Sequence, residues 1–139
     1  MKSFSEKLTP KRKLRAQKYL KEDDRLRSIA GGLLIRSVLN VKSDDELIEN
    51  RFGKPMLKSR PGHFNLSHSG DYVCLAVSTK AVGVDIEKIK QAHPDVAEKV
   101  FHKDELKFLH GRLQEYGERF YSIWTLKESL MKALGSGFQ

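Results

Sequence analysis

Cysteine is nearly absent from the 139-residue sequence, which excludes an internal disulfide. The one cysteine, Cys74, lies in the apolar run 73–77, so we expect a buried thiol rather than a nucleophile. No apolar run approaches the length of about 20 residues that spans a membrane. The first eight residues lack the apolar core of a signal peptide. These absences predict a globular, cytoplasmic protein without a membrane partner.

Acidic residues are also scarce relative to basic ones. The chain has 18 Asp and Glu against 26 Lys and Arg, a formal net charge of +8, and the excess is concentrated between Lys7 and Lys21. Such a balance favours polyanionic partners: nucleic acid, phosphorylated small molecules or an acidic protein. No aromatic platform or recognition motif for nucleic acid accompanies the charge. We therefore expect no nucleic-acid partner.

Residues 82–88 alternate apolar and polar positions, which predicts a strand with one apolar face. Asp85 and Glu87 would then point the same way. Two carboxylates so close repel each other unless a cation lies between them, and Mg²⁺ commonly takes two or three oxygen ligands from protein. Gly83, on the same face, would leave room for a ligand. A strand end whose carboxylates pair with surface lysines remains the alternative.

The rest of the pattern predicts an α+β fold, with an antiparallel sheet packed against a long helix. Helices are expected from Pro10 to about Leu20, from Asp23 or Asp24 to Asn40, from Ser43 to about Asn50, from Pro94 to Val100, from His102 to Leu109, and from Glu118 to Leu134. Strands are expected at His63–Ser67, Tyr72–Ser78 and 82–88. Because their turns are short, these strands should form a meander with Tyr72–Ser78 in the centre.

The last helix should carry one apolar stripe. At about 100° per residue, that stripe consists of Phe120, Ile123, Leu126, Leu130 and Leu134. Glu128 and Lys132 lie roughly opposite the stripe. They are either an ordinary i, i+4 ion pair or a functional pair.

Other candidates have ordinary explanations when taken singly. Residues 65–69 gather polar side chains at a strand end, whose turn can offer N–H groups to an anion or be satisfied by its own side chains. Arg12 and Arg15 share a helix face and could form a solvated basic surface. Glu105 lies in a short helix and carries no signal by itself.

Four segments in order carry a resemblance that the single residues do not. They are Gly53-Lys54-Pro55, Phe64–Ser69, Val82–Glu87 and Trp124–Lys132. Together they resemble the 4′-phosphopantetheinyl transferases of the surfactin-synthetase-activating, Sfp-like class, from about Pro10 to Phe138. The combined patterns G-[IV]-D-x-E and W-x-x-K-E-S-x-x-K are highly specific for that class.

The resemblance implies a reaction. The 4′-phosphopantetheine arm of coenzyme A would move to a serine of an acyl, peptidyl or aryl carrier protein, and adenosine 3′,5′-bisphosphate would leave. Such a transfer needs charge neutralisation and positioning more than covalent help. The resemblance implies that Asp85, Glu87 and Glu128 bind Mg²⁺. It implies that Lys132 contacts the pyrophosphate and that Glu105 is the general base. It implies coenzyme A contacts from Arg12, Arg15, Ser28, Lys54, Pro55, Ser67 and His68.

The resemblance also implies two similar α+β lobes with coenzyme A between them. We expect residues 1–81 to form the first lobe, with the basic helix and the coenzyme A turn, and residues 82–139 to begin the second. Because the chain stops at Gln139, the second lobe is expected to be incomplete and to self-associate or stay partly mobile. The alternative function is therefore a truncated, catalytically weak module that binds coenzyme A or a carrier protein.

Overall fold

The computed structural model describes residue 4 and residues 6–135. The expected reach of the resemblance to Phe138, and the end at Gln139, lie outside the described residues. The architecture is α+β, as predicted. Its elements are α1 (Pro10–Gln17), α2 (Glu22–Leu39), β1 (Leu47–Glu49), β2 (Pro55–Leu57), β3 (His63–Ser69), β4 (Tyr72–Ser78), α3 (Pro94–Val100), α4 (Lys103–His110) and α5 (Tyr116–Leu134). Within this described part, no helix is both long and apolar enough to cross a membrane.

Strands β3 and β4 form an antiparallel hairpin, with His63 opposite Ser78 and Ser69 opposite Tyr72. Gly70 turns the chain between them with φ +55°, a conformation that glycine adopts without steric cost. Side chains alternate along β3, so its two faces differ. Phe64, Leu66 and His68 share one face, and Asn65, Ser67 and Ser69 share the other.

Helix α2 packs on the Phe64 face of the hairpin. Phe64 is 1% exposed and packs in a core with Ile35, Leu39 and Val41. The approach is close at Gly31, where an added Cβ would lie 2.5 Å from the Leu66 side chain. Helix α2 begins after Lys21, earlier than predicted. Its acidic residues, including Asp23 and Asp24, therefore occupy the first turn, where the helix dipole stabilises negative charge.

The predicted third helix from Ser43 to Asn50 is wrong beyond its first turn. Glu46 accepts hydrogen bonds from the amides of Lys42 and Ser43 at 2.7 and 3.0 Å, which closes a single 3₁₀ turn at Asp44–Glu46. Strand β1 then pairs antiparallel with β2, with Leu47 opposite Leu57. Pairing of apolar side chains across these strands stabilises this arrangement over a longer helix.

The second core lies among α3, α4 and the first half of α5. It contains the buried residues Ala97, Phe101, Leu109, Phe120 and Ile123. The predicted apolar stripe of α5 is therefore right for Phe120 and Ile123 only. Leu126, Leu130 and Leu134 are 71%, 60% and 68% exposed. In its second half, helix α5 packs through a different face, on which the backbone of Ser129 and Ala133 lies against Gly83.

The predicted three-stranded meander is also wrong. Residues 79–93 contain no strand, and among the described residues β4 pairs with β3 alone. Residues 82–88 instead run parallel to β3, on the face opposite α2, and their amides bond to β3 side chains. Alternation of polar and apolar residues predicts which side chains share a face. It does not distinguish a backbone partner from a side-chain partner.

Candidate functional site

Three amides of the 82–88 segment are bound by side chains of β3. Each acceptor lies 19 residues before its donor, so the segment follows β3 in a constant parallel register. The contacts are Val84 N to Asn65 Oδ1 at 2.9 Å, Ile86 N to Ser67 Oγ at 3.4 Å, and Lys88 N to Ser69 Oγ at 3.0 Å. This register places the Asp85 carboxylate beside the Ser67 hydroxyl.

Asp85 is the most buried charged group of the site, with its side chain 4% exposed. Its Oδ1 accepts hydrogen bonds from Ser67 Oγ at 2.9 Å and from Lys132 Nζ at 2.5 Å. Lys132 Nζ also donates to Ser67 Oγ at 3.3 Å. The other oxygen, Asp85 Oδ2, is buried without a hydrogen-bond partner among the described residues. A buried carboxylate oxygen in this state is costly and would be stabilised by a cation or donor.

Glu128 and Glu87 complete the acidic part of the site. Burial raises the pKa of Glu128, and repulsion from Asp85 and Glu87 adds to the rise against the attraction of Lys132. Glu87 Oε2 accepts a hydrogen bond from Ser69 Oγ at 3.0 Å. Among residue 4 and residues 6–135, no three Asp, Glu, His or Cys side chains form a ready metal cluster. Lys132 is instead the cation that neutralises Asp85.

Gly83 does not leave room for a ligand, contrary to the prediction from its position beside Asp85. A Cβ there would lie 1.9 Å from the carbonyl oxygen of Ser129 and 2.4 Å from the amide nitrogen of Ala133. Both atoms belong to the backbone of α5. Glycine is therefore required so that helix α5 can approach the segment that carries Asp85.

Lys54 joins the first half of the chain to the end of α5. Its Nζ donates hydrogen bonds to the carbonyl oxygens of Val82 at 3.0 Å, Lys132 at 2.5 Å and Ala133 at 3.2 Å. The last carbonyls of a helix have no partner within it, so a lysine there satisfies them. Burial lowers the pKa of Lys54. Its ammonium is thus engaged with the protein, and the predicted contact with coenzyme A would have to come from the rest of the residue.

Replacing Lys54 with methionine should lower the free energy of unfolding by about 2 kcal/mol, because hydrogen bonds from a charged donor to three carbonyls are lost. Chemical denaturation of the two proteins measures the difference. Lys58→Met is the matched control, since Lys58 is exposed. Equal stability of the Lys54→Met and Lys58→Met variants would contradict this role of Lys54.

Two of the cavities in this region concern the site. One, of about 240 Å³, is lined by residues that include Lys54, Pro55, Asn65, Glu128 and Lys132. The other, of about 460 Å³, is lined by residues that include Lys11, Arg12, Arg15, Glu49 and Pro55. Pro55 lines both, so the carboxylate site and the basic helix α1 open onto neighbouring spaces. Burial, and then repulsion from Arg15, lowers the pKa of Arg12.

Comparison with known sequences decides the family. Residues 1–80 match the family described as 4′-phosphopantetheinyl transferase, N-terminal, and residues 81–139 match the 4′-phosphopantetheinyl transferase superfamily. The chain belongs to the 4′-phosphopantetheinyl transferase family. Its matched residues therefore include the whole of the site described above.

Several individual phosphopantetheinyl transferases are similar to this chain. It is 39% identical over 126 residues to the 4′-phosphopantetheinyl transferase gsp of Aneurinibacillus migulanus, covering 86% of this chain and 53% of that protein. It is 33% identical over 141 residues to the 4′-phosphopantetheinyl transferase Sfp of Bacillus subtilis (strain 168), covering 96% and 63%. It is 32% identical over 151 residues to the L-aminoadipate-semialdehyde dehydrogenase-phosphopantetheinyl transferase of Mus musculus, covering 94% and 49%. The chain thus spans about half to two thirds of the length of these relatives.

Two of the predicted coenzyme A residues of this chain lie on the α2 side of β3. His68 is exposed, and it shares the face of β3 that carries Phe64 and Leu66. Ser28 is 8% exposed. Arg27 donates to the carbonyl of Gly70 at 2.6 Å, so Ser28 lies near the same end of β3. These two residues are separated from the Asp85 site by the hairpin itself, and their contacts with coenzyme A stay predictions.

Glu105 is already engaged by two partners. Its carboxylate accepts a hydrogen bond from the amide of His102 at 2.6 Å and pairs with Lys127 Nζ at 2.9 Å. Burial would raise the pKa of Glu105, but these two contacts outweigh burial and lower it. A base role for Glu105 stays a prediction, and Lys127 is a neighbour that the sequence interpretation missed.

Asn65 and Ser69 were predicted only as members of the polar group 65–69, without roles of their own. Their signal in the sequence was the period-2 spacing of Asn65, Ser67 and Ser69, which puts three polar side chains on one face of a strand otherwise buried by apolar residues. Such a face needs polar partners. The carboxylates and amides of the 82–88 segment supply them.

Proposed function

We propose that this chain transfers the 4′-phosphopantetheine group from coenzyme A to a serine of an apo acyl or peptidyl carrier protein and releases adenosine 3′,5′-bisphosphate. The observation that carries the proposal is the meeting of Asp85, Ser67 and Lys132 beside Glu128, at a cavity bounded by Lys54 and Pro55. The similarity of this chain to known 4′-phosphopantetheinyl transferases supports the same activity.

Coenzyme A would lie across the two cavities that share Pro55. Arg12 and Arg15 provide a fixed positive charge for its phosphates in the larger cavity. In the smaller cavity, Lys132 would leave Asp85 for the pyrophosphate, whose charge it matches. Positive charge held where negative charge develops favours the transition state of such a transfer.

Asp85, Glu87 and Glu128 are the residues that would hold a divalent cation, proposed to be Mg²⁺. The fit rests on the unpartnered Asp85 Oδ2 and on the partly buried carboxylate of Glu128, whose pKa is raised first by burial and then by repulsion from Asp85 and Glu87. Oxygen ligands of this kind suit Mg²⁺, which would neutralise charge on the pyrophosphate when bound.

The carrier serine must lose its proton as its oxygen forms the new bond to phosphorus and the pyrophosphate P–O bond breaks. Glu105 is the proposed acceptor of that proton, as the resemblance implies. Lys127, paired with Glu105 at 2.9 Å, keeps this carboxylate ionised and therefore able to accept a proton.

A binding module without turnover is the second candidate, because the two cavities and their basic residues could hold coenzyme A without catalysing transfer. One experiment separates the two. The chain is incubated with coenzyme A, Mg²⁺ and an apo carrier protein, and the carrier is then weighed by mass spectrometry. A gain of one phosphopantetheine group supports the transferase. Calorimetric binding of coenzyme A without that gain supports the module, and no binding contradicts both.

If coenzyme A extends from the two cavities around the end of β3, His68→Ala should raise the KM for coenzyme A more than it lowers kcat, because an exposed imidazole there can bind a phosphate without entering the chemical step. Steady-state kinetics with coenzyme A and with dephospho-coenzyme A measure the effect. If the 3′-phosphate is the contact, the variant should differ little from the wild type with dephospho-coenzyme A. An equal loss with both substrates would contradict that contact.

The carrier protein is proposed to be acidic, since the chain carries a net charge of +8. The self-association expected from the sequence stays a prediction. Such association would bury exposed apolar side chains of α5, namely Leu126, Leu130 and Leu134.

A further inference from the structure

Ser67 and Ser69 make the same pair of contacts two residues apart. The Ser67 hydroxyl donates to Asp85 Oδ1 at 2.9 Å and accepts from the amide of Ile86 at 3.4 Å. The Ser69 hydroxyl donates to Glu87 Oε2 at 3.0 Å and accepts from the amide of Lys88 at 3.0 Å. Each serine thus binds one carboxylate and the amide of the next residue.

These contacts replace a backbone ladder. The amide contacts of Val84 and Ile86 are partly buried, so these amides need partners, and in the described part of the chain residues 82–88 pair with no strand. Asn65 begins the series by accepting from the amide of Val84, and the two serines continue it at the same 19-residue offset. A slip of one residue would break all three contacts and turn both carboxylates away from β3.

The Ser67 hydroxyl has no hydrogen-bonding capacity left. A hydroxyl offers one donor and two acceptor lone pairs. Ser67 donates to Asp85 and accepts from both Ile86 and Lys132. A contact between this hydroxyl and a coenzyme A phosphate would require one of those bonds to break.

We propose that Asn65, Ser67 and Ser69 form a side-chain ladder whose function is to position Asp85 and Glu87 for a divalent cation. They are positioning residues, and Ser67 acts through Asp85 rather than by holding a phosphate of coenzyme A. The positioning role rests on the proposed function, since it concerns the carboxylates assigned to the cation. The existence of the ladder does not depend on the proposed function.

Amide hydrogen exchange, followed by NMR in metal-free buffer, tests the ladder. Ser67→Ala should speed exchange at Ile86, and Ser69→Ala should speed it at Lys88, each by about five- to tenfold, the loss of one hydrogen bond. Ser78→Ala is the matched control, because the Ser78 hydroxyl accepts from the amide of Lys80 at 3.1 Å, outside the site. It should affect Lys80 alone. Unchanged exchange at Ile86 and Lys88 in the respective variants would overturn the ladder.

Binding of Mn²⁺, measured by electron paramagnetic resonance without substrate, tests the positioning. Partners of metal-binding carboxylates commonly contribute about ten- to a hundredfold in affinity. Ser67→Ala and Ser69→Ala should therefore weaken Mn²⁺ binding by about tenfold or more. Ser69→Thr keeps the hydroxyl and should restore wild-type affinity, while Ser78→Ala should not change it.

The outcomes separate this proposal from the proposed function. Faster exchange with unchanged Mn²⁺ affinity would overturn the positioning role and leave the transferase proposal standing. Absence of Mn²⁺ binding by the wild-type chain would overturn the metal site and the positioning role together. The exchange measurements would still decide whether the ladder exists.

Discussion

Asp85→Ala should reduce Mg²⁺-dependent phosphopantetheine transfer by about a thousandfold or more. The substitution removes the unpartnered oxygen Oδ2 proposed for the cation and the partner that holds Lys132. The fold should survive, because the Lys132 side chain is 30% exposed and can turn its ammonium to solvent. The rate of mass gain on an apo carrier protein measures transfer, and circular dichroism checks the fold.

Asp85→Asn keeps the shape of the Asp85 side chain but removes its negative charge, so the same transfer assay shows which of the two matters. The amide can still accept a hydrogen bond from Ser67, but it carries no charge for a cation. Its transfer rate should fall almost as far as that of Asp85→Ala. Glu98→Gln removes an exposed carboxylate of α3 and serves as the control. Near-normal transfer by Asp85→Ala at saturating Mg²⁺ would contradict the role assigned to Asp85.

Gly83→Ala should lower the free energy of unfolding by about 3 kcal/mol and disrupt the site. The added Cβ would meet two backbone atoms of α5, the Ser129 oxygen at 1.9 Å and the Ala133 nitrogen at 2.4 Å. Backbone cannot turn aside as a side chain can, so the segment must move away from α5. That movement would weaken the bond from Lys54 to the Val82 carbonyl. Chemical denaturation measures the change.

Gly117→Ala is the control for this substitution. Gly117 lies in the first turn of α5, and the nearest atom that its Cβ would meet is 3.9 Å away, in the Ile89 side chain. Alanine there should be neutral or slightly stabilising, because it favours the helix. A Gly83→Ala variant as stable as Gly117→Ala would show that α5 does not approach the segment as closely as described.

The elements with strong local signals could be predicted from the sequence. Strand β4 at Tyr72–Ser78 and helix α3 at Pro94–Val100 have the predicted bounds. A proline at the first helical position marks the start of α3, and an apolar run between turn residues marks β4. In each case the deciding information lies within about ten residues of the element.

The elements whose surroundings are distant in sequence could not be predicted. Periodicity correctly groups Leu126, Leu130 and Leu134 on one face, yet it does not say that α3 and α4 cover only the earlier part of that face. The partner of residues 82–88 was misassigned for the same reason. Side chains of β3, not the backbone of β4, supply its hydrogen bonds.

In the site, too, some features could be predicted from the sequence and others depend on contacts between residues that are distant in sequence. The resemblance to the 4′-phosphopantetheinyl transferases brought Asp85, Glu128 and Lys132 together as candidates, and the structure places Lys132 on Asp85. The role of Lys54 had no such signal, because its partners are backbone carbonyls up to 79 residues away, and carbonyls carry no sequence identity. Glu105 was predicted as a base without its ion pair to Lys127, which depends on how α4 packs on α5.

The dependence of transfer on divalent cation tests the central claim most directly. The rate of phosphopantetheine gain on an apo carrier protein is measured at increasing Mg²⁺ concentrations, for the wild-type chain and for Glu128→Gln. We predict saturable activation by Mg²⁺, complete loss of transfer with a chelator, and a requirement for about tenfold more Mg²⁺ in Glu128→Gln. Transfer that persists in the chelator, or the same Mg²⁺ dependence in both proteins, would contradict the proposed site.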